Sequence, residues 1–302
     1  MNEDGKVIDA LYERTQGQPI SAVQRGISQI SRSNPDAQVI AVGTTGSGRH
    51  LAAIVAGADV IKNEITAHAV AAIHALPEVR TIIEIGGQDS KLINIRQGIV
   101  TDFSMNTVCA AGTGSFLDQQ AARLNIPIQQ FGEKALESKT PVRIAGRCAV
   151  FAESDMIHKQ QSGHQLSDII NGLCHALVRN FINNLGKGKQ LEGPVLFQGG
   201  VAANAGMRRA FEEALQCSVI VPSHFNVMGA IGSALLAKEQ HSSHKPTLFR
   251  GFGLVNDEFV SKSFECSGCP NLCEVIEIAV NGQTAARWGD RCGKWSSCRM
   301  TG

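Results

Sequence analysis

The sequence lacks the features that mark a nucleic-acid-binding, membrane-spanning or secreted chain. Its 28 Lys and Arg nearly cancel 27 Asp and Glu, leaving a formal net charge of +1. No charge excess invites nucleic acid or an anionic membrane surface. No stretch approaches the ~20 uninterrupted apolar residues that a membrane helix needs. The opening Met1-Asn2-Glu3-Asp4-Gly5-Lys6 does not read as a signal peptide. Charged residues are also scarce, at 18% against 43% hydrophobic in 302 residues. That balance buries a substantial core, in one two-lobed domain with an appendage or in two domains. The expectation is a cytoplasmic protein with neither nucleic acid nor membrane among its partners.

Cysteine, by contrast, is plentiful. Nine of them in a chain without secretion signals favour metal binding over disulfides. Cys109 opens a small-residue, glycine-rich turn that leads into a helix carrying Phe116, Leu117, Ala121 and Leu124 on one side. Cys148 also stands where a short apolar run meets a helix-starting stretch. Helix N-termini carry partial positive charge and free N–H groups, which favour a thiolate as nucleophile or metal ligand. Cys174 and Cys217 read as core residues, and His68 and His74 as structural histidines.

Strands and helices alternate along the chain, which argues α/β architecture. Strand-like runs are read at 6–12, ending at the only tyrosine, Tyr12, and at Val39–Val42, Thr81–Ile85, Lys91–Ile95, Pro194–Phe197 and Ser218–Val221. Helices are read from Pro19, over Asn63–Ala75, over Ser167–Leu185 with an apolar stripe from Ile170 to Leu185, through Met207–Leu215 and over Gly229–Lys238. A polar linker follows at His241–Lys245. Both tryptophans, Trp288 and Trp295, and five cysteines lie beyond it, so residues 1–240 and 241–302 read as two modules.

Two glycine turns suit phosphates. Gly86-Gly87-Gln88-Asp89 offers backbone N–H groups at close approach, with Asp89 placed to orient Mg²⁺ or an attacking water. A plain hairpin turn has the same appearance. Phe197-Gln198-Gly199-Gly200-Val201-Ala202-Ala203-Asn204 has the strand–glycine–helix form that seats a nucleotide's sugar and phosphates. In the tail, Cys266, Cys269, Cys273 and Cys292 form a C-x2-C-x3-C…C set, which reads as a tetrathiolate site for Zn²⁺ or iron–sulfur. Cys298 is a spare ligand. The apolar residues there, Phe264, Val275, Ile276, Ile278, Trp288 and Trp295, look too few to fold without a metal staple.

Four segments, Asn63–Ala69, Ile85–Lys91, Met105–Phe116 and Gly146–Ile157, closely resemble the ATP-dependent activators of 2-hydroxyacyl-CoA dehydratases and the related benzoyl-CoA reductase ATPase subunits. The resemblance runs from about Gly5 to Leu236. It implies the sugar kinase, heat-shock ATPase and actin superfold: an α/β, two-lobed ATPase with a small Cys-rich C-terminal module. It further implies ATP or ADP with Mg²⁺, held at Gly86, Gly87, Ser90, Lys91, Gly112, Thr113, Gly114, Gly199, Gly200, Val201, Asn204 and Met228, with Gln88 and Asp89 catalytic. Met228–Gly232 looks like a small-residue hinge between the lobes. Cys109 and Cys148 of each subunit would share one [4Fe-4S] cluster across a homodimer, four thiolates in all. Electrons would come from a donor such as ferredoxin or flavodoxin and pass to a dehydratase-type iron–sulfur enzyme. The electron-handling setting tips the tail toward iron–sulfur over zinc.

The family's first phosphate loop, Asp-x-Gly-Ser-Thr-x-x-x-Lys, is not found, because Met1 aligns beyond it. The expectation is a fragment or an internal start, with hydrolysis reduced far more than adenosine binding. Two other functions stay open: a non-catalytic iron–sulfur or zinc-binding fragment of a larger activator–dehydratase protein, and a small-molecule kinase of the same superfold. The kinase is the weaker, because no sugar-binding motif is evident.

Overall fold

The computed structural model describes residues 1–241 and 245–296; Cys298 and part of the 241–245 linker lie outside the described residues. In chain order the elements are α1 (Pro19–Ser33), β1 (Gly43–Thr44), α2 (Arg49–Ala56), β2 (Val60–Ile61), α3 (Glu64–Ala75), β3 (Thr81–Ile85), β4 (Ser90–Arg96) and β5 (Ile99–Asn106). Next come α4 (Gly114–Arg123), α5 (Ile128–Leu136), α6 (Ala149–Gln161), α7 (Leu166–Leu185), β6 (Val195–Gln198), α8 (Ala205–Leu215) and β7 (Val219–Ile220). Last are α9 (Met228–Gln240), β8 (Phe259–Glu265), β9 (Glu274–Val280) and β10 (Gln283–Trp288). Contacts group Met1–Glu64 with Ser233–Gly302 as one compact unit and Ile65–Gly232 as another. The compositional boundary at 240/241 falls inside the first unit.

The Ile65–Gly232 unit is built on a five-stranded sheet of order β5-β4-β3-β6-β7. β3–β4 and β4–β5 are antiparallel, whereas β3–β6 and β6–β7 are parallel. Every residue of β3 and of β6 is buried, as continuous apolar runs covered on both faces require. α7 is the main helix against this sheet. Its Ile170, Leu173, Cys174, Leu177, Val178 and Phe181 are all buried in one cluster with Phe197 and Phe211. Cys174 is confirmed as core: burial pushes its thiol up to about 12. Cys217 is only partly buried, and its thiol is raised by burial and by the charge of Glu212.

In the other unit β1 and β2 form a parallel pair around α2. Two strand expectations fail here. Residues 6–12 and Val39–Val42 are not strands, and β1 is only Gly43–Thr44. Ile40 is exposed and Val39, Ala41 and Val42 are only partly buried, so burial gives the run little reward for pairing. β8, β9 and β10 make an antiparallel sheet that the sequence reading did not anticipate. Ile278 and Val280 are buried on one face of β9 and Val275 on the other, and Cys266, just after β8, is buried too. Phe264 meets Trp295 edge to face at 5.0 Å. Gln24 of α1 donates to the carbonyls of Leu254 and Asp257, tying this sheet's leading segment to α1.

Candidate functional site

The two glycine turns lie against each other at the ends of β3 and β6. Gly199 has φ +88°, and a Cβ there would sit 2.4 Å from the Ile85 carbonyl oxygen. Glycine is required at that point. Around Gly87 and Gly200, by contrast, a Cβ would meet nothing within 4 Å. Both turns thus keep open space against backbone N–H groups, as phosphate oxygens need. Buried and unpartnered atoms gather nearby, namely Ser90 Oγ, Gln198 Oε1 and Asn204 Nδ2. These residues fit a nucleotide.

Beneath the turns is a buried polar network. Glu84 faces Lys91 across β3–β4 and Gln198 across β3–β6. Lys91 is almost fully buried; its Nζ donates to Glu84 at 3.0 Å and to Asp89 at 2.8 Å. Lys91 therefore anchors the turn carboxylate from below rather than facing solvent. Gln198 Nε2 lies 2.8 Å from His68 Nδ1. Burial, and secondly the Lys91 charge, bring the His68 pKa down to about 4, so the imidazole is neutral near pH 7. His68 was read as structural; the network places it, with Glu84 and Gln198, directly under the turn.

Other expected residues fall into supporting places. Asn204 caps α8, its Oδ1 accepting the Met207 N–H at 3.0 Å. Thr113 Oγ1 donates to the Ala110 carbonyl. Val201 and Met228 are buried, while Gln88 is exposed on the turn. Gly232 closes against α3, where a Cβ would lie 1.8 Å from the Ala67 oxygen.

The cysteines occupy the helix starts read from sequence. Cys148 is the N-cap of α6, and Cys109 precedes a short 3-10 turn (Ala110–Gly112) that runs into α4. Both thiols are free and partly exposed. One residue joins them, and sequence reasoning missed it. Asn180 Nδ2 donates to the Gly146 carbonyl at 2.7 Å and reaches Cys109 Sγ at 3.8 Å. Its only sequence signal was an amide three residues after Leu177 on the buried side of α7. Asn106 brackets Cys109 from the other side, accepting its N–H and donating to its carbonyl, each at 2.8 Å. Two half-exposed thiols at helix starts are a chemically apt donor set for a thiolate-ligated metal cluster.

The thiol segment is bolted to the phosphate turn. Gly114 N–H and Ser115 N–H donate to the carbonyls of Gly86 and Gly87, each at 2.8 Å. A Cβ on Gly114 would lie 2.9 Å from the Gly86 oxygen. The expected Gly112-Thr113-Gly114 run therefore couples the two sites by close packing.

The tail cysteines are placed differently. Cys266 Sγ accepts the Trp295 indole N–H at 3.2 Å; that bond, and next the Gly268 N–H, lower its thiol pKa. Cys269 and Cys292 are exposed and Cys273 is partly buried. Among the described residues no three His, Cys, Asp or Glu side chains converge to hold a metal ion.

Residues 4–237 match the BadF/BadG/BcrA/BcrD ATPase family. The chain belongs to that family. It is 35% identical over 235 residues to the (R)-2-hydroxyglutaryl-CoA dehydratase activating ATPase of Acidaminococcus fermentans, covering 78% of this chain and 90% of that protein. It is 39% identical over 178 residues to the activator of lactoyl-CoA dehydratase of Anaerotignum propionicum, covering 59% of this chain and 68% of that one. The solved structure of the Acidaminococcus fermentans dehydratase component A aligns with a TM-score of 0.71 and 32% identity, over 80% of this chain and 92% of that one. The 2-hydroxyisocaproyl-CoA dehydratase activator from Clostridium difficile, solved with bound ADPNP, aligns at 0.68 and 31%, over 78% and 85%. The family member described here thus has the actin-like ATPase fold of those activators. Among its described residues no helix is long and apolar enough to cross a membrane.

Proposed function

We propose that the protein is an ATP-dependent activator of a 2-hydroxyacyl-CoA dehydratase-type enzyme, built as a homodimer that holds one [4Fe-4S] cluster through Cys109 and Cys148 of each subunit. The observation that carries this reading is the pair of N–H bonds from Gly114 and Ser115 to Gly86 and Gly87. They join the nucleotide turn to the thiol segment within six residues, so a shift of one must move the other. When bound, the cluster supplies a low-potential electron. Asp89, held by Lys91, would orient a magnesium ion or water at the terminal phosphate. Backbone N–H groups at Gly87 and Gly200 would receive phosphate oxygens, and Asn180 and Asn106 would hold the thiol loops in register. Val108, Val150 and Phe151, beside the two cysteines, are 95%, 68% and 66% exposed. Covering such side chains against a second copy supports the dimer.

The test is activation itself. With a low-potential reductant and Mg-ATP, the anaerobic protein should switch on a 2-hydroxyacyl-CoA dehydratase, and Asp89→Asn should lower the activation rate roughly a hundredfold. Equal activation by Asp89→Asn, or activation without ATP, would contradict the reading.

A further inference from the structure

A cavity of about 670 Å³ opens beside the thiol segments, lined by Gly146, Arg147, Asn180, Asn183, Asn184 and Lys187 among others. Its volume is that of a small-molecule site, yet its wall carries no aromatic ring on which a base would stack. Two full positive charges face it, and neither Arg147 nor Lys187 has an acidic partner among the described residues. Elsewhere in this unit the cations are mostly answered: Arg80 and Arg96 by Glu192, Arg123 by Glu153, Lys189 by Asp102. Arg143, four residues before Arg147, adds to the positive field, and its charge lowers the Arg179 pKa after burial has done so. Three carboxamides, with Ile182 and two glycines, complete the wall, and Asn184 Nδ2 donates to Asn180 Oδ1 at 3.0 Å.

We propose that this cavity is an anion-binding site for a small phosphate dianion or diphosphate, held by Arg147 and Lys187. An arginine fork with a lysine is the usual means of holding phosphate oxygens. The site shares its wall with the thiol pair. Arg147 directly precedes Cys148, and Asn180 bonds the Gly146 carbonyl while reaching Cys109 Sγ. An occupant would therefore place negative charge beside the segments that carry the two thiols. The inference stands without the activator reading, because it concerns binding alone.

Inorganic pyrophosphate is the probe, titrated calorimetrically into the full chain at low salt with excess Mg-ADP present to occupy the nucleotide turns. One saturable event is expected. Lys187→Gln and Arg147→Gln should each weaken it roughly tenfold, and the double variant should abolish it. Lys139→Gln, an exposed control, should leave it unchanged. Both cavity side chains are exposed, so thermal midpoints should hold and folding stays out of the comparison. No saturable heat, binding that survives the double substitution, or equal weakening by Lys139→Gln would each overturn the proposal. The last outcome would reduce the effect to net charge.

Discussion

Buried polar residues under the phosphate turn set the protein's acid sensitivity. His68 has its pKa depressed to about 4 by burial first and the Lys91 charge second, against about 6.5 when unfolded. The unfolded chain therefore binds the proton more readily between those values, and stability falls as pH drops from 6.5 toward 4. The loss is on the order of 3 kcal/mol. His68→Gln should flatten the pH dependence of the thermal midpoint in that window; an unchanged slope would contradict this account. Asp168 adds a second, lower window. Its carboxylate accepts from Thr140 N–H, Ser138 Oγ and Lys139 N–H. The Thr140 backbone bond, chief among these, holds its pKa at about 2, so its contribution is present above pH 4 and fades as pH falls toward 2. Lys91→Met takes the cation away from the buried Glu84 carboxylate and from Asp89 and should cost about 3–5 kcal/mol by denaturant unfolding. A cost below about 1 kcal/mol would show that the pair is not buried as described.

Elements carry the coupling between sites, and here the sequence was legible in part. The continuous apolar runs of β3 and β6 and the long stripe of α7 announce themselves because both are fully covered in the fold. The helix starts at Cys109 and Cys148 were readable from the change from apolar to polar composition. β1 was misread as a buried strand over Val39–Val42, because a short apolar run does not say whether anything covers it. Asn180, Asn106 and Glu84 were invisible as site residues, since their roles come from neighbours far apart in sequence. The tail sheet escaped notice for a similar reason. Its core is assembled from Val275, Ile278 and Val280, split between the two faces of β9, and from the Phe264–Trp295 contact rather than from a one-sided apolar run. Gly199→Ala should cost about 1–3 kcal/mol from backbone strain alone, and more from the Ile85 contact. Gly114→Ala, forced against the Gly86 oxygen, should weaken nucleotide binding and shift thiol reactivity together. A change in only one would break the proposed link. If Cys266, Cys269, Cys273 and Cys292 do form the metal centre proposed from their spacing, metal addition should change Trp295 fluorescence. The indole already donates to Cys266 Sγ, so an unresponsive spectrum would count against that centre.

At the scale of the whole molecule, the described residues of one subunit present two thiols at helix starts, Cys109 and Cys148, and a four-iron cluster takes four. In the proposed homodimer, two-fold symmetry would supply the rest. The tail cysteines are the competing source of ligands, so the decisive protein carries Ser at positions 266, 269, 273, 292 and 298. Iron, sulfide and native mass measured on this variant after anaerobic reconstitution test the central claim most directly. Four irons and four sulfides per two chains, lost together with the dimer on further Cys148→Ser substitution, is the predicted result. A complete cluster on a single chain, or a cluster that survives Cys148→Ser, would contradict the account.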